Sequence, residues 1–165
     1  MMIEKIKQAL SQLVEVQQQL LEIAVNKTEL IKENRMKDLE LVVREEAKAI
    51  QKLRITEMVR VKEVKSFFET RNKPLLEPTM TDLIAEVEPS DREGLQSLQQ
   101  LLLEQILELK KVNEHNEELI QESMKFVHFS LDVLSPQLSE MQYQRKPQNG
   151  NGYENGEHSI FDSRA

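Results

Sequence analysis

Apolar residues recur every three or four positions through three long stretches of this chain, and this spacing constrains the fold more than any other feature. In the first stretch Ile3, Ile6, Leu10, Leu13 and Leu20 follow it. Such spacing places side chains on one face of an α-helix, whereas a half-buried strand would alternate. Glycine occurs only four times, and strong helix formers dominate. We therefore predict an all-α fold, an antiparallel bundle of three long helices plus one short helix.

Breaks in this pattern predict where the first two helices lie, from about residue 3 to 33 and from about 38 to 72. Asn34 suits the left-handed position that ends many helices, and Asp38 can help to start the next one. One continuous helix across this point is the alternative. The charged run from Arg60 to Lys65 on the second helix is predicted to face solvent.

Two later segments have the spacing of a capping box, in which two residues three apart bond each other's backbone at a helix start. Thr79 and Asp82 predict a short helix that ends near residue 88. Ser90 and Glu93 predict the start of the last helix, which runs to about residue 135 and stops before Pro136.

The domain organisation follows from these bounds. Residues 1–136 are predicted to form the bundle, and residues 137–165 a disordered polar tail that holds three of the four glycines. The last helix, about 90–135, is the longest. At about 1.5 Å per residue it should overhang its partners by about 15–20 Å, near the turn between the first two helices.

Charge and composition exclude several classes of function. Residues 3–72 carry 14 basic and 12 acidic groups and residues 73–136 carry 5 and 13, so no basic face for nucleic acid is expected. There is no cysteine, and His115 with Glu118 reverses the order of the di-iron motif and occurs only once. We expect no metal, no cofactor and no catalytic site. Without a long apolar run or a signal peptide, we expect a cytoplasmic protein with no direct membrane insertion.

The last helix carries the candidate binding residues. Its apolar stripe is broken by two asparagines, which either hydrogen-bond inside the bundle and fix its register or contact a partner, and both can hold. Beyond them the apolar surface widens, so this end either binds another protein or is ordinary core, covered by the first helix or by a second copy in a homodimer. The candidate partner-binding residues are Asn113, Asn116, Ile120, Met124, Phe126, Val127, Phe129, Leu131, Val133 and Leu134.

The same helix resembles a known family. The segment from Leu109 to Leu119 with its paired asparagines, the segment from Leu131 to Pro136, and Tyr143 are similar to the flagellar export chaperones of the FlgN type. The resemblance is closest over residues 105–143. One departure is Gln144, where the family often has glycine after the tyrosine.

The resemblance implies a cytosolic chaperone of type III protein export in flagellum biogenesis. Its clients would be hook–filament junction proteins, bound at their helical C-terminal ends and delivered to the cytosolic domain of the export gate. By the match, Asn113, Asn116 and the helix end fall in the client-binding region, and Tyr143 falls at the position associated with docking on the gate. The alternative is a structural coiled-coil or bundle protein that self-associates and has no client.

Overall fold

The computed structural model describes residues 2–134, and this part of the chain consists of four α-helices without strands. The all-α prediction is confirmed. The predicted tail, its boundary after residue 136 and Tyr143 lie outside the described residues. The helices are α1 (Met2–Lys32), α2 (Met36–Thr70), α3 (Met80–Glu86) and α4 (Pro89–Leu134).

α1 lies between the other two long helices, which pack on it and not along each other. Two neighbouring rows of α1 side chains, each in alternating steps of three and four residues, are buried or half-buried. This spacing is that of a coiled-coil seam, the row that a helix turns toward its partner. The seam toward α2 contains Ile6, Ala9, Leu13, Val16, Leu20, Ile23, Lys27 and Leu30, and the seam toward α4 contains Lys7, Leu10, Val14, Gln17, Leu21, Ala24, Thr28 and Ile31.

α2 runs antiparallel to α1. The Lys27 ammonium lies 2.9 Å from the Glu46 carboxylate near one end, and the Thr70 hydroxyl contacts the Met2 sulfur near the other. The prediction that the run beginning at Arg60 faces solvent is wrong for Arg60 itself. This residue is buried and forms an ion pair with Glu57 on the same helix, because it falls in the row of α2 that packs on α1.

α4 runs parallel to α1, so the three long helices alternate in direction along the chain. Successive contacts follow the same direction along both helices. Asp91 of α4 pairs with Lys7 of α1, and further along Asn116 of α4 bonds Ala24 and Thr28 of α1. α1 ends only four residues beyond Thr28, whereas α4 continues for eighteen residues beyond Asn116. Roughly the last ten residues of α4 therefore extend past α1, by about 15 Å.

The apolar core is concentrated where α1 begins and α2 ends. There Phe67 and Phe68 pack edge to face with ring centroids 5.4 Å apart. α3 closes this end, because its buried Leu83 joins the same cluster as Leu95 of α4 and the two phenylalanines. At the other end of the bundle, the described residues include no short helix of this kind. Within residues 2–134 the bundle thus has one closed end and one open end, and α4 projects from the open one.

The helical conformation is interrupted between α1 and α2 at Asn34, as the sequence predicted. Its φ of 56° places it in the left-handed region, which asparagine tolerates better than most residues. This excludes the alternative of one continuous helix. Asp38 does not cap α2 through the backbone, because its carboxylate instead accepts a hydrogen bond from the Arg35 side chain.

The two predicted capping boxes have different outcomes. The Thr79 box is confirmed: the Asp82 N–H donates to the Thr79 hydroxyl at 3.1 Å, and the Thr79 N–H donates to the Asp82 carboxylate at 2.9 Å. These bonds, the backbone one foremost, lower the pKa of Asp82. The Ser90 box is wrong, because α4 already begins at Pro89 and Ser90 lies inside its first turn. Proline favours the first helical position, since its ring fixes φ and it has no N–H to satisfy.

This difference predicts the effect of two matched substitutions. Thr79→Ala is expected to lower the free energy of unfolding by about 1 kcal/mol, because a backbone N–H loses its acceptor. Ser90→Ala is expected to change it by less than about 0.5 kcal/mol, since alanine suits a helix interior. Urea unfolding followed by circular dichroism measures both. Equal losses for the two variants would contradict this assignment of the helix starts.

Candidate partner-binding site on the last helix

α4 contacts α1 through a seam with the same alternating steps. The seam contains Asp91, Leu95, Leu98, Leu102, Gln105, Leu109, Val112 and Asn116, all buried or half-buried. Among the described residues of α4, only Leu95, Gln105 and Asn116 are fully buried. Two of these three are amides, so the middle of α4 is attached to α1 by polar contacts as well as by leucines.

The two amides donate to backbone carbonyls of α1. Gln105 Nε2 lies 3.2 Å from the Val14 oxygen, and Asn116 Nδ2 lies 2.9 Å from the Ala24 oxygen. Asn116 Oδ1 also accepts a hydrogen bond from the Thr28 hydroxyl. Asn116 is thus bonded through both ends of its amide group, which a buried side chain of this kind requires.

The structure therefore separates the two asparagines. Asn116 is hydrogen-bonded inside the bundle, one of the two roles that the sequence left open. Asn113 is half-buried, and within residues 2–134 its side chain has no hydrogen bond. A contact of either residue with a partner stays a prediction.

Gln105 is a residue that the sequence analysis missed. The apolar stripe that the sequence predicts for the last helix runs from Leu102 through Ile106 to Leu109 and leaves Gln105 out, because it follows the 3.6-residue period of a straight helix. The observed seam follows the 3.5-residue period of a coiled coil, which selects Gln105. The alternating steps from Leu98 through Leu102 to Leu109 were the signal that would have found it.

The projecting end of α4, which we define as residues 117–134, presents the remaining candidates to solvent. Phe126 is 70% exposed and Leu134 is 82% exposed, which is unusual for side chains of this size. α1 ends too early to cover them. Leu131 is half-buried, and the other candidates of this end are exposed: Ile120, Met124, Val127, Phe129 and Val133.

Charges surround this apolar surface unevenly. The projecting end carries four carboxylates but only one ammonium group, that of Lys125. Three of the carboxylates, those of Glu117, Glu118 and Glu122, lie in its first two turns, next to the point where α1 ends. A partner with basic groups at this level would be attracted to the site.

Residues 2–134 lack two further features that would indicate function. In this part of the chain no three histidine, aspartate or glutamate side chains are grouped so that they could hold a metal ion. None of the described helices combines the length and the apolar character needed to cross a membrane.

Comparison with known proteins agrees with this architecture. The family model described as FlgN protein matches residues 1–150, and the chain belongs to this family of flagellar export chaperones. It is 30% identical over 136 residues to the uncharacterized protein YvyG of Bacillus subtilis (strain 168), with 82% of each chain covered. No solved structure matches it significantly.

The buried asparagine generates a prediction about stability. Asn116→Ala is expected to lower the free energy of unfolding by about 1–3 kcal/mol, because the Ala24 carbonyl loses one donor and the Thr28 hydroxyl loses one of its two acceptors and keeps only the Ala24 carbonyl. Asn113→Ala is the control, and a change below about 0.5 kcal/mol is expected. Thermal or urea unfolding of both variants provides the measurement. Similar losses at both positions would mean that the bonds of Asn116 contribute nothing beyond side-chain volume.

Proposed function

We propose that this protein is a cytosolic chaperone that binds the helical C-terminal ends of hook–filament junction proteins and delivers them to the flagellar export gate. The observation that carries the proposal is the exposed apolar surface on the projecting end of α4. Family membership supports the general class, an export chaperone. The clients, the site and the delivery step are our inference.

The proposed capture step is the docking of an amphipathic helix. A soluble protein rarely leaves a continuous run of large apolar side chains exposed on one helix unless that surface binds something. An amphipathic helix buries its apolar face against such a surface and leaves its polar face in water. An aggregation-prone client helix would thereby be kept from pairing with other clients. Self-association of the chaperone through the same surface is the competing outcome.

The proposal predicts that substitutions in the projecting end weaken client binding without lowering the stability of the free protein. Phe126→Ser and Leu131→Ser are each expected to weaken client binding by about 1.5–3 kcal/mol, the value of a large apolar side chain that becomes buried. The melting temperature of the free protein should change little, because both residues lie beyond α1. Leu107→Ser is the control, since Leu107 is also exposed on α4 but lies outside the projecting end.

The measurement is a calorimetric titration with a purified hook–filament junction protein from the same cell, alongside thermal unfolding of each free variant. A large loss of stability in the Phe126 variant would identify that residue as ordinary core. Equal weakening by Leu107→Ser would show that the titration does not report on this surface.

We propose Tyr143 for delivery to the gate, and its support is the family resemblance, in which a tyrosine at this point is associated with docking. Tyrosine suits such a role, because it buries a large ring for few rotatable bonds and offers one hydroxyl group. It lies seven positions past Pro136 in the sequence, so it follows the proposed client site closely.

Tyr143→Ala is expected to leave client affinity unchanged and to weaken binding of the client-loaded chaperone to the gate's cytosolic domain by about 1–3 kcal/mol. Tyr153→Ala is the matched control, and no loss of gate binding is expected from it. Titration of the loaded chaperone against the gate domain decides the matter, with swimming motility as a second readout. Equal affinity of the wild type and Tyr143→Ala would remove this residue from the mechanism.

A further inference from the structure

On one half of the circumference of the projecting end of α4, side chains of similar type recur every seven residues. Three rows of side chains recur at this interval: Asn116, Ser123 and Ser130; Leu119, Phe126 and Val133; Ile120, Val127 and Leu134. At about 100° per residue the first row lies between the other two, and all three fall within roughly half a turn together with Met124 and Leu131.

No charged residue lies on this half of the projecting end. The charged side chains of residues 117–134 all fall on the opposite half or at its edges: Glu117, Glu118, Glu122, Lys125 and Asp132. Charged and uncharged side chains are separated more completely than a wide apolar surface requires. This separation indicates a face built for one extended contact, which we call the uncharged face.

The uncharged face continues an existing interface. Its middle row extends the row of Leu95, Leu102 and Leu109, which packs against the core of the bundle and ends at the contact of Asn116 with α1. Beyond Asn116 this row continues with serine instead of leucine. Among residues 2–134, no helix occupies, beside roughly the last ten residues of α4, the position that α1 occupies along the bundle.

The serines make this position suitable for close packing. The Ser123 hydroxyl donates to the Leu119 carbonyl of its own helix at 3.0 Å, so it can be covered by apolar atoms without losing a hydrogen bond. Small side chains between two rows of large ones form a groove that lets a second backbone approach. A seven-residue repeat matches a partner that crosses at about 20° in a left-handed coiled coil.

We propose that one amphipathic helix of the client lies along the Ser123–Ser130 row of α4, in line with α1, and continues the α1–α4 interface beyond Lys32. Its large apolar side chains pack against the rows that contain Phe126 and Val127. Basic residues on its flanks lie beside Glu117 and Glu122, which border the uncharged face on either side. This inference rests on the proposed function and adds to it the face, the direction and the charge of the client helix.

Charge favours a client over a second copy of this chain as the occupant. Two projecting ends packed on each other would bring together eight carboxylates and two ammonium groups, whichever way they run. Like charges at the edges of a helix pair oppose association and select against that pairing. A basic amphipathic helix meets no such repulsion.

The test compares two adjacent exposed positions that lie on opposite halves of α4. Ser123→Arg places a long charged side chain in the groove, and Gln121→Arg places the same side chain on the charged half. The probe is a synthetic peptide of the C-terminal helical segment of the junction protein, titrated against full-length chaperone. We expect Ser123→Arg to weaken binding at least about tenfold and Gln121→Arg by less than about threefold.

Cysteine labelling supplies a second readout that does not perturb the site as strongly. The chain contains no cysteine, so Ser130→Cys and Gln121→Cys each create a unique reactive position. Saturating peptide is expected to slow alkylation of the Ser130→Cys variant at least about fivefold, because a helix would cover the thiol. Alkylation of the Gln121→Cys variant should keep its rate.

The outcomes separate this inference from the proposed function. If the wild type binds the peptide but both arginine variants, or neither, lose affinity, the docking face is wrong while the chaperone function stands. If the Ser130→Cys variant is protected without peptide as its own concentration rises, a second copy occupies the groove and the inference is overturned. If the wild type binds neither the peptide nor the intact junction protein, the proposed function fails as well.

Discussion

α1 packs against two partner helices at once, and the rest of the structure depends on this constraint. Its two seams differ by a single residue in register, which separates them by about 100° around the helix axis. α2 and α4 are thereby held on neighbouring sides of α1 without packing along each other. Among the described helices α4 has only one long neighbour, so these helices leave it uncovered beyond the end of α1. The position of the break at Asn34 thus decides how much of α4 is exposed.

Polar residues occupy much of the interior in the middle of the bundle, and one of them, Asn116, lies toward its open end. Gln17, Thr56, Arg60, Gln105 and Asn116 are buried, whereas the closed end buries only apolar side chains of α2, α3 and α4. The carbonyl oxygens of Gln17 and Gln105 have no hydrogen-bond partner among the described residues. Burial of such groups adds less stability than burial of leucine, and buried polar contacts can fix the register of a helix pair. The middle of the bundle is therefore expected to add less stability than the apolar cluster at the closed end.

Local chemistry explains which parts of this fold could be predicted from sequence. The break at Asn34 and the box at Thr79 depend on residues within one turn of each other, and both were predicted correctly. The prediction of a capping box at Ser90 was wrong because two local signals competed. The preference of Pro89 for the first turn of a helix outweighed the capping preference of Ser90. Arg60 and Gln105 were missed because polar residues are normally placed on the solvent side. Only the regular three-and-four spacing identifies them as buried.

The candidate site was predictable to a lesser degree. Comparing helix lengths was enough to predict that the last helix would overhang, since length follows from residue number. The partner of Asn116 was not predictable, because it depends on how α1 and α4 are rotated against each other. That rotation is set by the packing of the whole seam, including the salt bridge between Lys7 and Asp91 at its start.

The projecting end of α4 has a further consequence for the entropy that would be lost when a partner binds. An isolated helix of that length would have to form its first turn unaided, and this nucleation step is the unfavourable part of helix formation. Here the preceding turns are already held by α1, so the exposed end only propagates a helix that exists. A segment that bound there as proposed would meet a helix whose backbone is already ordered, and the entropy lost on association would fall mainly on that segment.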